Sequence, residues 1–221
     1  MVTTEYVRDA LVRPLVDVEL ERFLILPCGI DLEEFNPTVT DGVKDRYGLP
    51  DRYVICPGAL THSKGPQNVV AASQEYAELA PTVFIGAGEL RSQLEQELSD
   101  RGQFLGFVSR EDKAFLICAA TLLVAAPEKK EHFGIIYAEA LAGGTPCVAY
   151  EGGGVDAIVT PDVGVLCQRD PVALGRSVRQ LLEDEPTRGK MALQARRRAE
   201  ERFDMAGLGV ELERWLATLT R

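Results

Sequence analysis

Short apolar runs alternate with longer amphipathic segments from about Arg52 onward, and this alternation limits the folds open to the chain. Six apolar runs have the length of strands: RYVICPG (52–58), PTVFIGAG (81–88), QFLGFV (103–108), TLLVAAP (121–127), TPCVAY (145–150) and VGVLC (163–167). Helical patterns cover residues 65–80, 89–100, 110–120, 133–144 and 154–159. Strands that are apolar throughout belong to sheets covered on both faces. The alternation predicts a right-handed, doubly wound parallel α/β sheet of about six strands flanked by helices, with ligands at the carboxyl ends of the strands.

The two ends of the chain have different patterns. Residues 171–221 predict two or three helices, with breaks at Pro186 and Gly207. Residues 1–37 contain a short helix that ends near Pro14, an apolar run RFLILP (22–27) with strand character, and a turn-rich segment CGIDLEEFNP. One helix and one strand cannot form a core of their own, so the first 37 residues are not an independent domain.

Composition excludes several classes of function. The 221 residues carry 24 Lys and Arg against 34 Asp and Glu, so the net charge of −10 repels polyanions and nucleic acid is not an expected partner. The five cysteines are odd in number and scattered, as in reduced cytoplasmic proteins, and two histidines without a CxxC motif predict no metal site. No apolar run reaches membrane-spanning length, so we expect a cytoplasmic protein without a transmembrane segment.

The segment PEKKEHFGIIYAEALAGGTPCVAYEGGGVDAIV (127–159) concentrates polar features after an apolar run. Glu131 lies in the predicted loop before a helix that starts near Phe133, and Glu139 lies within that helix, roughly 12 Å further along its axis. The free N–H groups of the first helical turn attract phosphate. Carboxylates on either side suit hydroxyl groups instead. The segment therefore predicts a ligand with a polyol, a phosphate and a second polyol, which is a nucleotide sugar.

These residues resemble a known family. EHFGIIYAE, with its E-x7-E spacing, and the following ALAGGTPCVAYEGGGVDAIV resemble the donor-binding half of retaining GT-B glycosyltransferases of the glycosyltransferase group 1 type. Further matching blocks are PGALTHSKG, IGAGEL, FLGFVSRED, VGVLCQRDPVAL and ARRRAEERF. A lone E-x7-E arises often by chance, whereas this ordered set covers nearly the whole chain from Arg52. The resemblance implies a Rossmann-like single GT-B half, with residues 38–221 as the nucleotide-sugar (donor) binding domain.

The resemblance also implies catalytic roles. Glu131 would contact hydroxyls of the transferred sugar and position the donor. Lys64 would neutralise the diphosphate leaving group, because a fixed cation stabilises charge that grows in the transition state. No cofactor and no metal are implied; the nucleotide diphosphate sugar is the substrate.

Further donor contacts follow from the same resemblance. Glu139 would hold the ribose, the amides at the helix start would receive the distal phosphate, and a glycine pair would let the backbone approach the sugar. The backbone after FLG would border the nucleobase. These residues are Glu139, Phe133, Gly134, Ile135, Gly153, Gly154, Asp156, Phe107 and Val108.

Three positions depart from the family pattern. Ala59 stands where an arginine usually partners the lysine on the diphosphate, and our hypothesis is that Lys129, Lys130 or a partner chain compensates. Asp156 stands where glutamate is common, which shortens the side chain by one methylene, and Cys28 stands where asparagine is usual.

The larger departure is that a GT-B enzyme has two such domains. Residues 1–37 resemble the last helix and strand of the other, N-terminal domain, plus a linker. An unpaired apolar strand at 22–27 is an association site unless it is covered. We therefore expect a separate acceptor-binding domain or subunit, or self-association through residues 22–27.

Other interpretations stay open from the sequence. Taken singly, Lys64 or Glu139 is typical of a solvated side chain, and His132 favours a loop role over that of a base. A catalytically inert nucleotide-sugar-binding or scaffolding module is the main alternative to hexosyl transfer, and Ala59 favours it. A dinucleotide oxidoreductase, suggested by GAGEL (86–90), lacks the third glycine and a ribose acid.

Overall fold

Six parallel strands form one sheet in the computed structural model, which describes residues 1–38 and 42–219. The strands are β1 Val54–Pro57, β2 Thr82–Ile85, β3 Gly102–Gly106, β4 Leu122–Ala125, β5 Cys147–Tyr150 and β6 Gly164–Cys167. Their order is β3-β2-β1-β4-β5-β6, and every neighbouring pair is parallel. Each predicted apolar run coincides with one strand, with β3 beginning one residue before its run, so the prediction of a six-stranded, doubly wound sheet is confirmed.

The sheet separates two apolar clusters. Val54 and Leu122 belong to one cluster, whereas their chain neighbours Ile55 and Leu123 belong to the other. Successive side chains of a strand point to opposite faces, so strands buried on both faces must be apolar at every position. This is why the runs read as continuous apolar stretches in the sequence.

Eight α-helices surround the sheet within the described residues. They are α1 Val43–Tyr47, α2 Pro66–Ala72, α3 Arg91–Leu98, α4 Arg110–Ala119, α5 Ile135–Ala142, α6 Pro171–Glu183, α7 Glu185–Arg202 and α8 Met205–Leu219. Ser109 caps α4 by accepting a hydrogen bond from the Asp112 N–H at 2.9 Å. No helix in the described part of the chain is long and apolar enough to cross a membrane.

Of three helix predictions, one agrees with the structure and two differ from it. The predicted break at Pro186 falls within one residue of the junction, because α7 begins at Glu185 and proline fits a first helical turn. The predicted break at Gly207 is wrong: the chain turns earlier, at Asp204, whose carboxylate accepts from the Gly207 N–H at 3.0 Å. Residues 154–159 form only a single turn, Gly154–Ala157, rather than a helix.

The segment 22–27 is not a strand, so that expectation is wrong. It meets only one residue of the chain's start: the Val2 N–H donates to the Leu24 carbonyl at 2.9 Å, and the Leu26 N–H donates to the Val2 carbonyl at 2.8 Å. A single bridging residue cannot continue a ladder, because each further residue of a strand needs its own partner.

Residues 30–35 are fastened to α7 and to the junction between α7 and α8. The Ile30 N–H donates to the Phe203 carbonyl at 2.7 Å, and the Met205 N–H donates to the Ile30 carbonyl at 3.2 Å. Arg196 bonds the carbonyls of Leu32 and Phe35 at 3.2 and 2.8 Å. Residues 1–37 thus pack on the rest of the chain, and their assignment to the end of another domain stays a prediction. The predicted domain 38–221 includes residues 39–41 and 220–221, which lie outside the described residues.

The strand order reverses between β1 and β4. The connection after β1 leads toward β2 and β3, whereas the connection after β4 leads toward β5 and β6. At such a switch point the two loops diverge beyond the carboxyl ends of the strands and leave a crevice. The loops that flank it here are residues 58–65 and 126–134.

We predict that Gly65→Ala destabilises the fold by about 2 kcal/mol or more, because Gly65 has a φ of +68° and an added Cβ would lie 1.9 Å from the Ala126 carbonyl oxygen. Gly189→Ala is the control: Gly189 lies inside α7 with open space around it, so alanine should leave stability unchanged or raise it slightly. Urea unfolding of both variants measures the difference. Equal stabilities would contradict the close approach of the two loops.

Candidate functional site

A cleft of about 580 Å³ lies at the carboxyl ends of β1 and β4. Among the predicted site residues, the cleft is lined by Lys64, Glu131, Phe133, Gly134 and Ile135. A second cavity of about 280 Å³ lies toward β2 and is lined by Phe107 and Val108 among others. The two cavities share the wall formed by Pro57, Gly58 and Ala59 at the end of β1. Residues predicted to contact a sugar diphosphate and a base therefore lie in adjoining spaces.

The two predicted catalytic residues form an ion pair across the switch point. The Lys64 Nζ lies 2.6 Å from a carboxylate oxygen of Glu131 and donates to it. The lysine side chain is 51% exposed and the glutamate side chain 18%. Pairs of this exposure contribute about 1 kcal/mol or less. A ligand with stronger negative charge can therefore displace Glu131 from the lysine.

The N-terminus of α5 faces the same cleft. Gly134 caps the helix with a φ of +92°, and an added Cβ there would lie 2.6 Å from the Tyr137 ring. The Tyr137 N–H donates a hydrogen bond to the Gly134 carbonyl oxygen at 3.1 Å, the first such bond at this end of the helix. The preceding N–H groups are those that a helix leaves for other acceptors. Phe133, which was predicted to start the helix, lies before it and packs edge-on against Phe203.

Glu139 is buried behind the cleft wall and paired with Lys113 of α4. The Lys113 Nζ lies 2.6 Å from both carboxylate oxygens. Burial raises the pKa of Glu139 above its ordinary range, and the lysine opposes that shift. Lys113 lines the second cavity, with its ammonium 5.9 Å from the centre of the Phe35 ring. Lys113 is not among the residues predicted from the sequence. Its place in the helix that follows the FLG block is the sequence feature that could have indicated it.

The glycine triplet packs against the loop that carries Glu131. The Gly154 N–H donates to the Glu131 carbonyl at 2.7 Å, and a Cβ on Gly154 would lie 2.1 Å from the His132 carbonyl oxygen. Asp156 accepts a hydrogen bond from the Gly152 N–H at 2.7 Å. Gly153, Gly154 and Asp156 are not part of either cavity wall in the described residues. The structure thus shows them holding the loop, and their direct contact with a sugar stays a prediction.

Two other sequence features acquire a structural explanation. His132 lines the cleft, and its carbonyl accepts a hydrogen bond from Thr4 at 2.8 Å, which agrees with the expected loop role. Gly86 and Gly88 of GAGEL approach the loop after β1, where an added Cβ would lie 2.0 Å from the Gly58 carbonyl oxygen and 2.3 Å from that of Leu60. Close packing therefore accounts for these two glycines without a dinucleotide.

Comparison with known proteins gives the family. Residues 44–198 match the family model described as glycosyl transferases group 1. The chain belongs to this family. It is 34% identical over 220 residues to a D-inositol 3-phosphate glycosyltransferase of Xylanimonas cellulosilytica, an alignment that covers 91% of this chain and 52% of that protein. It is 30% identical to a GDP-mannose-dependent alpha-(1-6)-phosphatidylinositol dimannoside mannosyltransferase of Mycobacterium tuberculosis, over 79% of this chain and 47% of the relative.

Solved structures support the GT-B fold of this glycosyltransferase group 1 chain. HepE of Anabaena, crystallised with UDP and glucose, superposes with a TM-score of 0.83 at 21% identity, over 98% of this chain and 62% of that one. Sucrose-phosphate synthase of Thermosynechococcus elongatus gives a TM-score of 0.85 at 26% identity, over 99% and 57%. This chain spans about half the length of the curated relatives it matches, and it corresponds to a C-terminal GT-B half.

We predict that Lys113→Ala lowers the free energy of unfolding of this glycosyltransferase group 1 chain by about 2–3 kcal/mol at pH 8, because it leaves the Glu139 charge buried and unpaired. Loss of the lysine raises the pKa of Glu139 further. A carboxyl group with a raised pKa in the folded state destabilises that state as pH rises through the pKa, so the defect should be smaller at pH 5 than at pH 8.

Lys44→Ala is the matched control for Lys113→Ala. Its Nζ pairs at 3.0 Å with an exposed Asp51, and such pairs contribute about 1 kcal/mol or less. Urea titrations at the two pH values measure both variants. A defect of Lys113→Ala that grew toward pH 5 would contradict a buried carboxylate that depends on this lysine.

Proposed function

We propose that this chain is the donor-binding half of a retaining glycosyltransferase that transfers a hexosyl group from a nucleotide diphosphate sugar to an acceptor. The observation that carries the proposal is the pair of joined cavities at the switch point. The larger holds the Lys64–Glu131 pair and the N-terminus of α5, and the smaller is bordered by Lys113 and the exposed Phe107. Retention of configuration follows from the resemblance to retaining GT-B enzymes.

The residues that line the larger cleft have separate roles in the proposed reaction. The diphosphate binds Lys64 and the amides of Gly134 and Ile135, which releases Glu131 to accept hydrogen bonds from sugar hydroxyls. As the bond between the anomeric carbon and the phosphate oxygen breaks, negative charge grows on the diphosphate, and fixed cations and amides stabilise it. The acceptor oxygen forms the new bond to the anomeric carbon and gives its proton to the departing diphosphate oxygen, so the glycoside and the nucleoside diphosphate are the products.

The nucleoside occupies the second cavity in this proposal. The base lies beside Phe107 and Val108, whose side chains line that cavity. In this proposal the ribose hydroxyls bind Glu139 and replace part of its contact with Lys113, the residue of that pair that lines the cavity. The HepE structures contain UDP, whereas the M. tuberculosis relative is GDP-mannose-dependent. The identity of the nucleobase must therefore be determined by experiment.

An inert nucleotide-sugar-binding or scaffolding module is the second candidate. Ala59 favours it, because the shared wall of the two cavities presents a methyl group where a second cation would assist the leaving group. The Lys64–Glu131 pair and the buried Glu139 oppose it, since a scaffold needs neither.

We predict that one nucleoside diphosphate from a panel of UDP, GDP and ADP, with their hexose conjugates, binds the chain selectively. Glu139→Ala should weaken that binding about tenfold or more, because a hydrogen bond from ribose to a charged group contributes about 1.5–3 kcal/mol. Glu151→Ala, which removes an exposed carboxylate beside the glycine triplet, is the control and should bind normally. Isothermal titration calorimetry gives the affinities. Absence of binding to every member at millimolar concentration would overturn the proposed function.

A further domain or chain completes the enzyme in this proposal. Leu15 is 83% exposed, and Val16, Val18 and Leu20 are also exposed, immediately before the predicted association segment 22–27. Apolar side chains clustered in this way mark contact surfaces. We propose that they face an acceptor-binding domain, a separate subunit or a second copy.

We predict that the chain self-associates at tens of micromolar, because none of the residues that the structure describes covers this surface. Leu15→Ser combined with Val18→Ser should shift the population toward monomer, whereas Leu193→Ser, an exposed leucine on α7, should not. Multi-angle light scattering measures the mass. A monodisperse wild-type monomer would rule out self-association and leave the separate acceptor-binding half.

A cytoplasmic location is part of the same proposal. All five cysteines are unpaired, and Cys56, Cys147 and Cys167 are buried. Unpaired thiols are typical of a reducing compartment, and nucleotide sugars are cytoplasmic substrates in this interpretation.

A further inference from the structure

The larger cleft holds one cation without an ionic partner. Lys64 and Glu131 neutralise each other at 2.6 Å, so together they add no net charge. Lys130 also lines the cleft, and within the described residues it forms no ion pair. A diphosphate carries more negative charge than one lysine neutralises. The cleft therefore contains a positive charge that the Lys64–Glu131 pair does not use.

The glycine triplet leaves the space that the Lys130 side chain occupies. A Cβ on Gly152 would lie 2.9 Å from the Lys130 Cε and 3.3 Å from its Nζ, and a Cβ on Gly153 would lie 3.0 Å from the Lys130 Cβ. The lysine stem thus lies along a strip of backbone that has no side chains. Lys129 and Lys130 are both exposed, but of the two only Lys130 lines the cleft.

The wall formed by the end of β1 contributes no charge of its own. Ala59 is exposed there, between the two cavities, and Pro57 and Gly58 complete the wall. A diphosphate that joins a sugar in the larger cavity to a nucleoside in the smaller must pass this wall. Arg110 and Lys113, which line the smaller cavity, are already paired with Glu34 and Glu139, so an unpaired second cation comes from the loop after β4.

We propose that Lys130 binds the diphosphate of the donor as its second cation, from the side opposite Ala59. This inference rests on the proposed function and assigns to Lys130 alone a task that the sequence leaves between Lys129 and Lys130. A lysine suits it because an ammonium acts on phosphate as a compact charge without fixed orientation. Gly152 and Gly153 then contribute to diphosphate binding indirectly, because their lack of side chains leaves room for the Lys130 side chain.

The test compares two adjacent lysines that differ in their access to the cleft. Affinities of UDP, GDP and ADP are measured by calorimetry for the wild type, Lys130→Ala, Lys129→Ala and Lys130→Arg, and the matching nucleosides are titrated in parallel. Lys130→Ala should weaken the best-bound diphosphate roughly tenfold, since hydrogen bonds to charged groups are the stronger class. Lys129→Ala should stay within about twofold, Lys130→Arg should recover most of the loss, and the nucleoside should bind all four proteins alike.

Salt and a second-site change sharpen the result. The diphosphate affinity of Lys130→Ala should fall less steeply with salt than that of the wild type, because one charge contact is gone. Ala59→Arg in the Lys130→Ala background should restore affinity, since it places a cation on the facing wall.

The outcomes separate the two proposals. If the wild type binds a diphosphate and Lys130→Ala binds it as well as Lys129→Ala does, the role of Lys130 is wrong and the proposed function stands. Equal losses for nucleoside and diphosphate in Lys130→Ala would show a structural effect and also overturn the inference. A wild type that binds none of the probes overturns the proposed function and this inference together.

Discussion

The contact between the loops that follow β1 and β4 determines the shape of the site. The Glu128 N–H donates to the Ser63 carbonyl at 3.0 Å, and Asn68 donates to the Ala126 carbonyl at 3.1 Å. Gly65 allows the same carbonyl to approach, because any side chain would collide with it. These contacts close the base of the crevice while the loop ends diverge above it. Lys64 and Glu131 face each other only because both loops are held in this way.

The local charge of this crevice differs in sign from the net charge of the whole chain. The net charge of −10 disfavours anions at long range, but screening limits that field to about 10 Å at moderate salt. Within the cleft, the Lys64–Glu131 pair is neutral and Lys130 leaves a local excess of positive charge. The charge of the buried Glu139 is compensated by Lys113, so this carboxylate is not an isolated charge in the low-dielectric interior. An acidic protein thereby keeps a site suited to a phosphate-bearing ligand.

The sequence predicts the sheet well, because strands buried on both faces must be apolar throughout. The sequence predicts the ends of helices less well. The helix α5 begins at Ile135 rather than near Phe133, because Gly134 adopts a left-handed conformation that the hydrophobic periodicity does not reveal. Segment 22–27 has strand composition but forms only an isolated bridge, with Val2, in the part of the chain that the structure describes, and composition cannot supply a partner strand. The Lys113–Glu139 pair joins residues 26 apart on different helices, a contact that depends on how α4 and α5 pack. The glycine triplet signals a close approach, but only the structure identifies the Glu131–His132 backbone as what approaches it.

The beginning of the chain is connected to the site through few bonds. Thr4 is buried and donates to the His132 carbonyl, directly beside Glu131, and Cys28 lines the same cleft. Burial raises the pKa of the Cys28 thiol, which keeps this position neutral next to the charged pair. The same His132 carbonyl limits the approach of Gly154, so residue 4 and the glycine triplet both contact the residue that follows Glu131. Under the proposed function, a second domain attached through residues 1–30 would be linked by the Thr4 hydrogen bond to the loop that carries Glu131.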